Sequence, residues 1–279
     1  MLEIRDLVVR YGDLTAVDGL SLTVESGTLF GFLGPNGAGK STTLNCVASI
    51  REPTSGSITI DGVDVAKDPI AARALLGLVP QSLALYEPLS VVDNLRCFAG
   101  LAGLRGKRRR DRIEWGLALA QLEARKDTLV STLSGGMKRR LNLAASLLHD
   151  PKLVLCDEPT AGVDPQSRNH LFDTIRKLNE EGRTVIYTTH YMEEVEALCS
   201  RVAIIDKGKL IANDTLGALL EEKGESTRFL LDIKEAKSRE TVKALLEHAG
   251  LDFSALTQSA HTLEDVFLDL TGRALRDVQ

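Results

Sequence analysis

The segment TLFGFLGPNGAGKSTTLNCVASI, residues 28–50, constrains the fold more than any other part of the chain. An apolar run of strand character leads into the pattern G-x-x-x-x-G-K-[ST] over Gly34–Ser41. Thr42 extends the pattern, and helix-forming sequence follows. This order of strand, loop and helix is what such a loop requires. Its backbone, through Gly34, Asn36, Gly37, Ala38 and Gly39, curls so that several N–H groups point inward at phosphate oxygens. The helix N-terminus adds partial positive charge at the same place. Lys40 then reaches the β- and γ-phosphates of a nucleotide, and Ser41 offers its hydroxyl to Mg²⁺.

Strand and helix signals alternate around this loop. LEIRDLVVRY, LSLTV and SITI read as strands punctuated by Gly12, Gly27 and Gly56. KLVLCDE, TVIYTTH and RVAIID read as buried strands with helices between them, including PQSRNHLFDTIRKLNEEG. Such alternation implies an α/β protein with a mainly parallel sheet and ligand chemistry at the strand C-terminal ends. LVLCDEP ends in two carboxylates. Asp157 sits where it can hold a water on Mg²⁺, and Glu158 can polarise an attacking water. Two adjacent acids could also merely start a helix at Pro159; beside a phosphate loop, the catalytic reading is preferred. His190 ends TVIYTTH and faces the same cleft, where it suits a γ-phosphate contact that holds the water and Glu158 in place. Gln81 follows LLGLV and Pro80, and can touch Mg²⁺ or the water from a hinge.

From about Ser82 to Asp150 the strands give way to Leu-, Ala- and Arg-rich sequence with helical spacing, read as an all-helical insert. After about Leu220, EEKGES reads as a linker, RFLLDI as a strand, and RETVKALLEHAG and TLEDVFLDLTGRAL as helices of a small accessory domain. The formal net charge of −5 argues against bulk electrostatic coating of nucleic acid. The local basic run GKRRRDR, residues 106–112, reads as a solvated loop or helix end. Four cysteines without a CxxC pair exclude metal spacing and point to a reducing cytosol. No apolar run approaches the roughly 20 residues that span a bilayer, and the N-terminus lacks a signal-peptide core.

LSGGMKRRL, Leu133 to Leu141, poses a puzzle, because it is built like a second phosphate grip about a hundred residues after the first. Ser134 can cap a helix beginning near Met137, with Leu141, Ala144, Ala145 and Leu148 as its apolar stripe. Its N-terminal dipole then suits an anion. Taken in order, GPNGAGKST, the loop centred on Gln81, LSGGM, LVLCDE, AGVDP and His190 resemble the nucleotide-binding subunit of ABC transporters. The resemblance spans about residues 1–215.

What the resemblance implies is a P-loop NTPase fold of the ABC ATPase type. It is α/β, with an antiparallel β subdomain, an α-helical insert and a small C-terminal α+β accessory domain. The ATPase domain would cover residues 1–220, with the helical subdomain at about 82–150, and the accessory domain residues 221–279. The resemblance further implies ATP and Mg²⁺ as cofactors, with Ser41, Gln81 and Asp157 on the metal side. Glu158, His190 and Gln81 would organise hydrolysis. Tyr11 falls where the family stacks an aromatic on adenine, a contact worth about 1–3 kcal/mol. Two such domains pair head to tail, so that Ser134, Gly135 and Gly136 of one cap the γ-phosphate held by Lys40 of the other. Asp164 is the candidate for a further contact across that interface, since Ala161 stands where serine is common. Met137 replaces the frequent glutamine without implying lost activity.

HTLEDVFLDLTGRALRD resembles the tail of type-2 ABC exporters, the group that includes daunorubicin-resistance and sodium-extrusion ATPases. It also reads as an amphipathic helix with Leu263, Val266, Phe267 and Leu270 packed on the main domain. The expected setting is the cytoplasmic face of a cell membrane. A separate transmembrane permease and a second ATPase subunit, identical or paired, are the expected partners, with no nucleic acid. A soluble ABC-type ATPase acting on nucleic acid or the ribosome is the alternative, but no zinc spacing, long heptad run or second phosphate loop supports it. A GTPase lacks its N-K-x-D motif.

Overall fold

The computed structural model describes residues 1–221 and 263–271, with His248 between them. The expected linker EEKGES, strand RFLLDI and most of helix RETVKALLEHAG lie outside the described residues. The chain opens with β1 (Leu2–Tyr11), β2 (Leu14–Val24), β3 (Leu29–Leu33) and α1 (Lys40–Val47). There follow β4 (Ser55–Ile60), β5 (Val63–Asp64), α2 (Pro69–Leu75) and β6 (Leu76–Val79). Three helices come next: α3 (Val91–Leu101), α4 (Gly106–Ala120) and α5 (Gly135–Ser146). The remainder comprises β7 (Leu153–Asp157), α6 (Pro165–Glu180), β8 (Thr184–Thr189), α7 (Met192–Leu198), β9 (Arg201–Asp206), β10 (Lys209–Thr215), α8 (Leu216–Glu221) and α9 (Leu263–Thr271).

Two sheets form. The first is antiparallel, in the order β2-β1-β4-β5. Alternating Leu2, Ile4, then Leu7 and Val9 turn inward from β1, and the change of phase falls at Asp6, whose φ of 47° marks an irregularity in the pairing. The second sheet has the order β10-β9-β3-β8-β7-β6, parallel throughout except for β10. β3 and β8 are buried along their whole length, which suits the apolar LFGFL of β3 and the Val185–Tyr187 centre of β8; the threonines of β8 are buried with them.

Parallel pairing decides where the chemistry goes. β3, β6, β7 and β8 all run the same way, so the chain leaves their C-terminal ends along one sheet edge. The phosphate loop follows β3, Gln81 follows β6, Asp157 ends β7, and His190 follows β8.

Three apolar clusters hold the layers together. One joins the antiparallel sheet to α1 and a face of the parallel sheet through Leu7, Val17, Phe30, Phe32 and Leu44. A second covers the other face with α6, α7 and α9 through Leu171, Ile175, Tyr187, Val195 and Phe267. The third belongs to the helices between β6 and β7, where Leu95, Leu117, Leu141 and Leu148 meet.

Several expectations need adjustment. The helix after Ser134 starts at Gly135, two residues before Met137, because the Ser134 hydroxyl caps it by accepting from the Met137 amide at 3.3 Å. Leu263, Val266 and Phe267 are buried, but Leu270 is 44 % exposed and does not share their packing. The basic run starts α4, and two of its arginines bind backbone: Arg109 donates to the Arg96 carbonyl, Arg112 to those of Leu147 and Leu148. Pro159 starts no helix; Pro165 opens α6 with Asp164 as its cap.

Leu95 is fully buried at the centre of the helical insert. Leu95→Ala should destabilise the protein by about 2–5 kcal/mol, read as a lower urea midpoint in circular dichroism.

Candidate functional site

The phosphate loop is packed tightly from behind. Gly39 has φ 107°, and a Cβ there would lie 2.5 Å from the Ala16 carbonyl oxygen, so no other residue fits. The loop's outer residues, Asn36 and Gly37, are exposed, whereas Gly34, Ala38 and Lys40 are buried; Ser41 is exposed and Thr42 partly so. Gly208 donates its N–H to the Ala38 carbonyl, which ties the loop to the turn after β9.

Lys40 is 4 % exposed and folds along its own loop, donating to the carbonyls of Gly34 (2.6 Å) and Pro35 (3.1 Å). Its ammonium also lies 3.4 Å from Glu158 Oε1. Burial pulls the Lys40 pKa below the ordinary lysine value, while the nearby carboxylates of Glu158 and Asp157 pull it back up.

Glu158 is the meeting point of the site. Gln81 Nε2 donates to its Oε2 at 3.2 Å, and His190 Nδ1 lies 3.3 Å from the same oxygen. The His190 contact is close but off hydrogen-bond geometry. Three side chains brought by three separate strands therefore converge on one carboxylate. The backbone of Glu158 is held at φ 43°, a region sparsely used by residues with a Cβ, and its N–H donates to Thr188 at both the carbonyl and Oγ1.

Asp157 faces a different neighbour. Ser41 Oγ donates to its Oδ1 at 3.1 Å, and Thr188 Oγ1 donates to the same atom at 2.8 Å. A hydroxyl and a carboxylate beside a phosphate cradle are hard oxygen donors. Mg²⁺ keeps much of its shell as water and phosphate and needs few protein ligands, so this pair fits it. Among the described residues, no group of three or more His, Cys, Asp or Glu is placed to hold a metal.

Ser134, Gly135 and Gly136 occupy another surface. Gly136 abuts the start of α6: a Cβ on it would lie 2.0 Å from Ser167 Oγ and 3.5 Å from Asp164 Oδ2. Glycine is obligatory there by close approach. Gly135, by contrast, has open space around it, and Ser134 is exposed. Asp164 accepts from the Ser167 amide at 2.9 Å, and that bond lowers its carboxyl pKa from the ordinary value. Ser134, Gly135 and Asp164 therefore share one outward face. The phosphate loop has other neighbours, namely Ala16, Val17, Ile205 and Gly208.

Tyr11 is 43 % exposed at the end of β1. The Arg51 guanidinium lies over its ring, 3.6 Å from the centroid, and Arg51 also donates to the Arg10 carbonyl.

Three contributors escaped the sequence reading. Arg51 has no motif around it. Thr188 holds the Asp157 carboxylate and the Glu158 backbone, and only the hydroxyl-rich TTH hints at this. Glu194, 3 % exposed on α7, accepts hydrogen bonds from Thr160, Tyr187 and Thr189, linking the turn after Glu158 to the residue before His190.

The family model described as ABC transporter matches residues 17–161. The linearmycin resistance ATP-binding protein LnrL of Bacillus subtilis is 39 % identical, covering 99 % of this chain and 100 % of that protein. The Nod factor export ATP-binding protein I of Cupriavidus metallidurans is 37 % identical, covering 99 % of both. Among solved structures, an ATP-binding subunit of an ABC transporter superposes with a TM-score of 0.75 at 25 % identity, covering 97 % of this chain and 99 % of that one. A dimeric ATP-binding cassette in a post-hydrolysis state, bound to ADP and Pi, gives 0.70 at 26 %, covering 77 % and 99 %. The chain belongs to the ABC transporter family, among its ATP-binding subunits.

Proposed function

We propose that this chain hydrolyses ATP as half of a head-to-tail pair and so drives a separate transmembrane permease, in the direction of export. The observation that carries the reading is the convergence of Lys40, Gln81 and His190 on the buried Glu158. The export relatives support the direction, and the dimeric cassette supports the pair. Among the described residues no helix is long and apolar enough to cross a membrane. In this reading a separate permease spans the bilayer, and this subunit works at its cytoplasmic face. Residues 1–220 form the engine and residues 221–279 the accessory portion.

The chain's residues divide the work. Backbone N–H groups from Gly34 to Gly39 and the start of α1 bind the phosphates, and Lys40 leaves its loop carbonyls for the β- and γ-phosphate oxygens. Ser41 and Asp157, with the Gln81 side-chain oxygen, would hold Mg²⁺, which offsets charge on those phosphates. Glu158 accepts a proton as the water oxygen bonds to the γ-phosphorus and the bridging β,γ oxygen leaves with ADP. His190 orients that water and the γ-phosphate. The free face of Tyr11 stacks on adenine, with Arg51 backing the ring.

Ser134 and Gly135 close the site from the partner. Once Ser134 caps α5, the N–H groups of Gly135 and Gly136 remain for an anion, on the face that also carries Asp164. This answers why one chain needs two phosphate grips: each serves a different nucleotide.

Glu158→Gln should still bind ATP and dimerise, with turnover reduced about 10²- to 10⁴-fold; phosphate release against a fluorescent-nucleotide titration checks it. The sandwich is tested by mixing two inactive variants, Lys40→Ala and Gly135→Asp. Head-to-tail pairing recreates one intact site in each mixed dimer, so activity should return on mixing; no recovery across a range of ratios would refute it. Arg51→Ala should raise the KM for ATP about 2- to 5-fold with kcat unchanged, the loss of a cation–π contact worth about 0.5–1 kcal/mol.

A further inference from the structure

Arg139 is a buried cation on α5, 6 % exposed, and no carboxylate lies within ion-pair distance of it among the described residues. Burying a charge without a counter-ion is costly, so what it binds instead identifies its use. Its Nη1 donates to the carbonyls of Gln81 (2.6 Å) and Pro80 (3.3 Å), and its Nη2 donates to the carbonyl of Ala161 (3.2 Å).

All three carbonyls sit on irregular backbone, where no ladder satisfies them. Two of the three residues also touch Glu158. The Gln81 side chain donates to Glu158 Oε2, and the Ala161 amide donates to the Glu158 carbonyl at 3.1 Å. Arg139 thus holds both residues that grip Glu158 from opposite ends. One turn along α5, Asn142 Oδ1 accepts from the Ala84 amide at 3.0 Å, so the same helix face sets the register of the Gln81 loop.

The guanidinium is the group suited to this task. Its planar fork reaches two loops at once, whereas an ammonium is a single point of donation. The helix that carries it also presents Ser134 and Gly135 at its N-terminus, so any shift of α5 reaches Gln81 through Arg139.

We propose that Arg139 is a positioning residue for hydrolysis: it anchors the backbone of Gln81 and Ala161, and so fixes Glu158 relative to the attacking water. This rests on the role given to Glu158 and Gln81 above. It assigns Arg139 no contact with nucleotide.

The test is a double-mutant cycle on the full chain, with Arg139→Met, Gln81→Ala and the double variant, read in kcat, KM for ATP and melting temperature. Arg139→Met should lower kcat about tenfold or more with KM within about twofold, and the double variant should fall no further than the lower single. Arg139→Lys keeps charge and stem but loses the fork, and should lower kcat in the same way. Wild-type kcat in both Arg139 variants overturns the proposal, as does a kcat loss that merely follows melting temperature across the two. Effects that multiply in the double variant overturn it while leaving the role of Gln81 intact. If Gln81→Ala alone leaves kcat unchanged, the route through Gln81 is refuted together with that part of the hydrolytic reading.

Discussion

Parallel pairing of β3, β6, β7 and β8 is the constraint on which the site depends. Side chains separated by up to about a hundred and fifty residues meet only because four strand ends stop along one edge. The pairing is secured by burial on both faces, with Leu33, Val79, Cys156 and Tyr187 all at or near full burial just short of the edge. Hydrophobic packing therefore fixes the backbone to within the tolerance that hydrogen bonds at the edge require. A register shift of one residue in β7 would exchange the directions of Asp157 and Glu158, and with them the two chemistries.

Polar satisfaction does the finer positioning. Thr188 serves both acidic residues: its hydroxyl donates to the Asp157 carboxylate, and its Oγ1 and carbonyl accept from the Glu158 backbone N–H. Glu194 gathers three hydroxyls beneath the turn that follows, and Arg139 gathers three carbonyls from the other side. Thr160 and Ala161 are adjacent, so the chain just after Glu158 is held by a buried anion on one residue and a buried cation on the next. Neither charge is neutralised by the other through a direct ion pair. Each is stabilised by dipoles, which ties it to one geometry.

Legibility in the sequence followed the range of the interaction. The phosphate loop, the carboxylate pair and His190 were visible because local rules dictate them: glycine where backbone must approach closely, acids and histidine where an apolar run stops. The insert was visible as a change from strand to helical periodicity, and its separate core bears out that shift of character. Arg139 is hidden inside a run of three basic residues, and nothing local distinguishes it from Lys138 or Arg140. What buries Arg139 is the return of Pro80, Gln81 and Ala161 to α5, contacts spanning 22 to 59 residues. The helix expected to begin near Met137 under a Ser134 cap starts at Gly135, because that cap lets two glycines, poor helix formers, occupy the first turn. Leu270 shows the opposite error, since helical spacing alone cannot say how far an apolar stripe is covered.

The two glycines of that first turn have unequal roles, and the difference connects packing to pairing. Gly136 is required by the protein's own interior, because Ser167 leaves no room for a Cβ. No contact within the chain calls for Gly135, since a Cβ there would meet nothing within 4 Å. Glycine is a poorer helix former than alanine, and no neighbour packed against this position calls for it. In the proposed pair the gain lies outside the protomer, where an unobstructed amide at a helix N-terminus lets an anion approach closely. Intrachain packing accounts for one half of the Gly-Gly pair, and the proposed head-to-tail partner would account for the other.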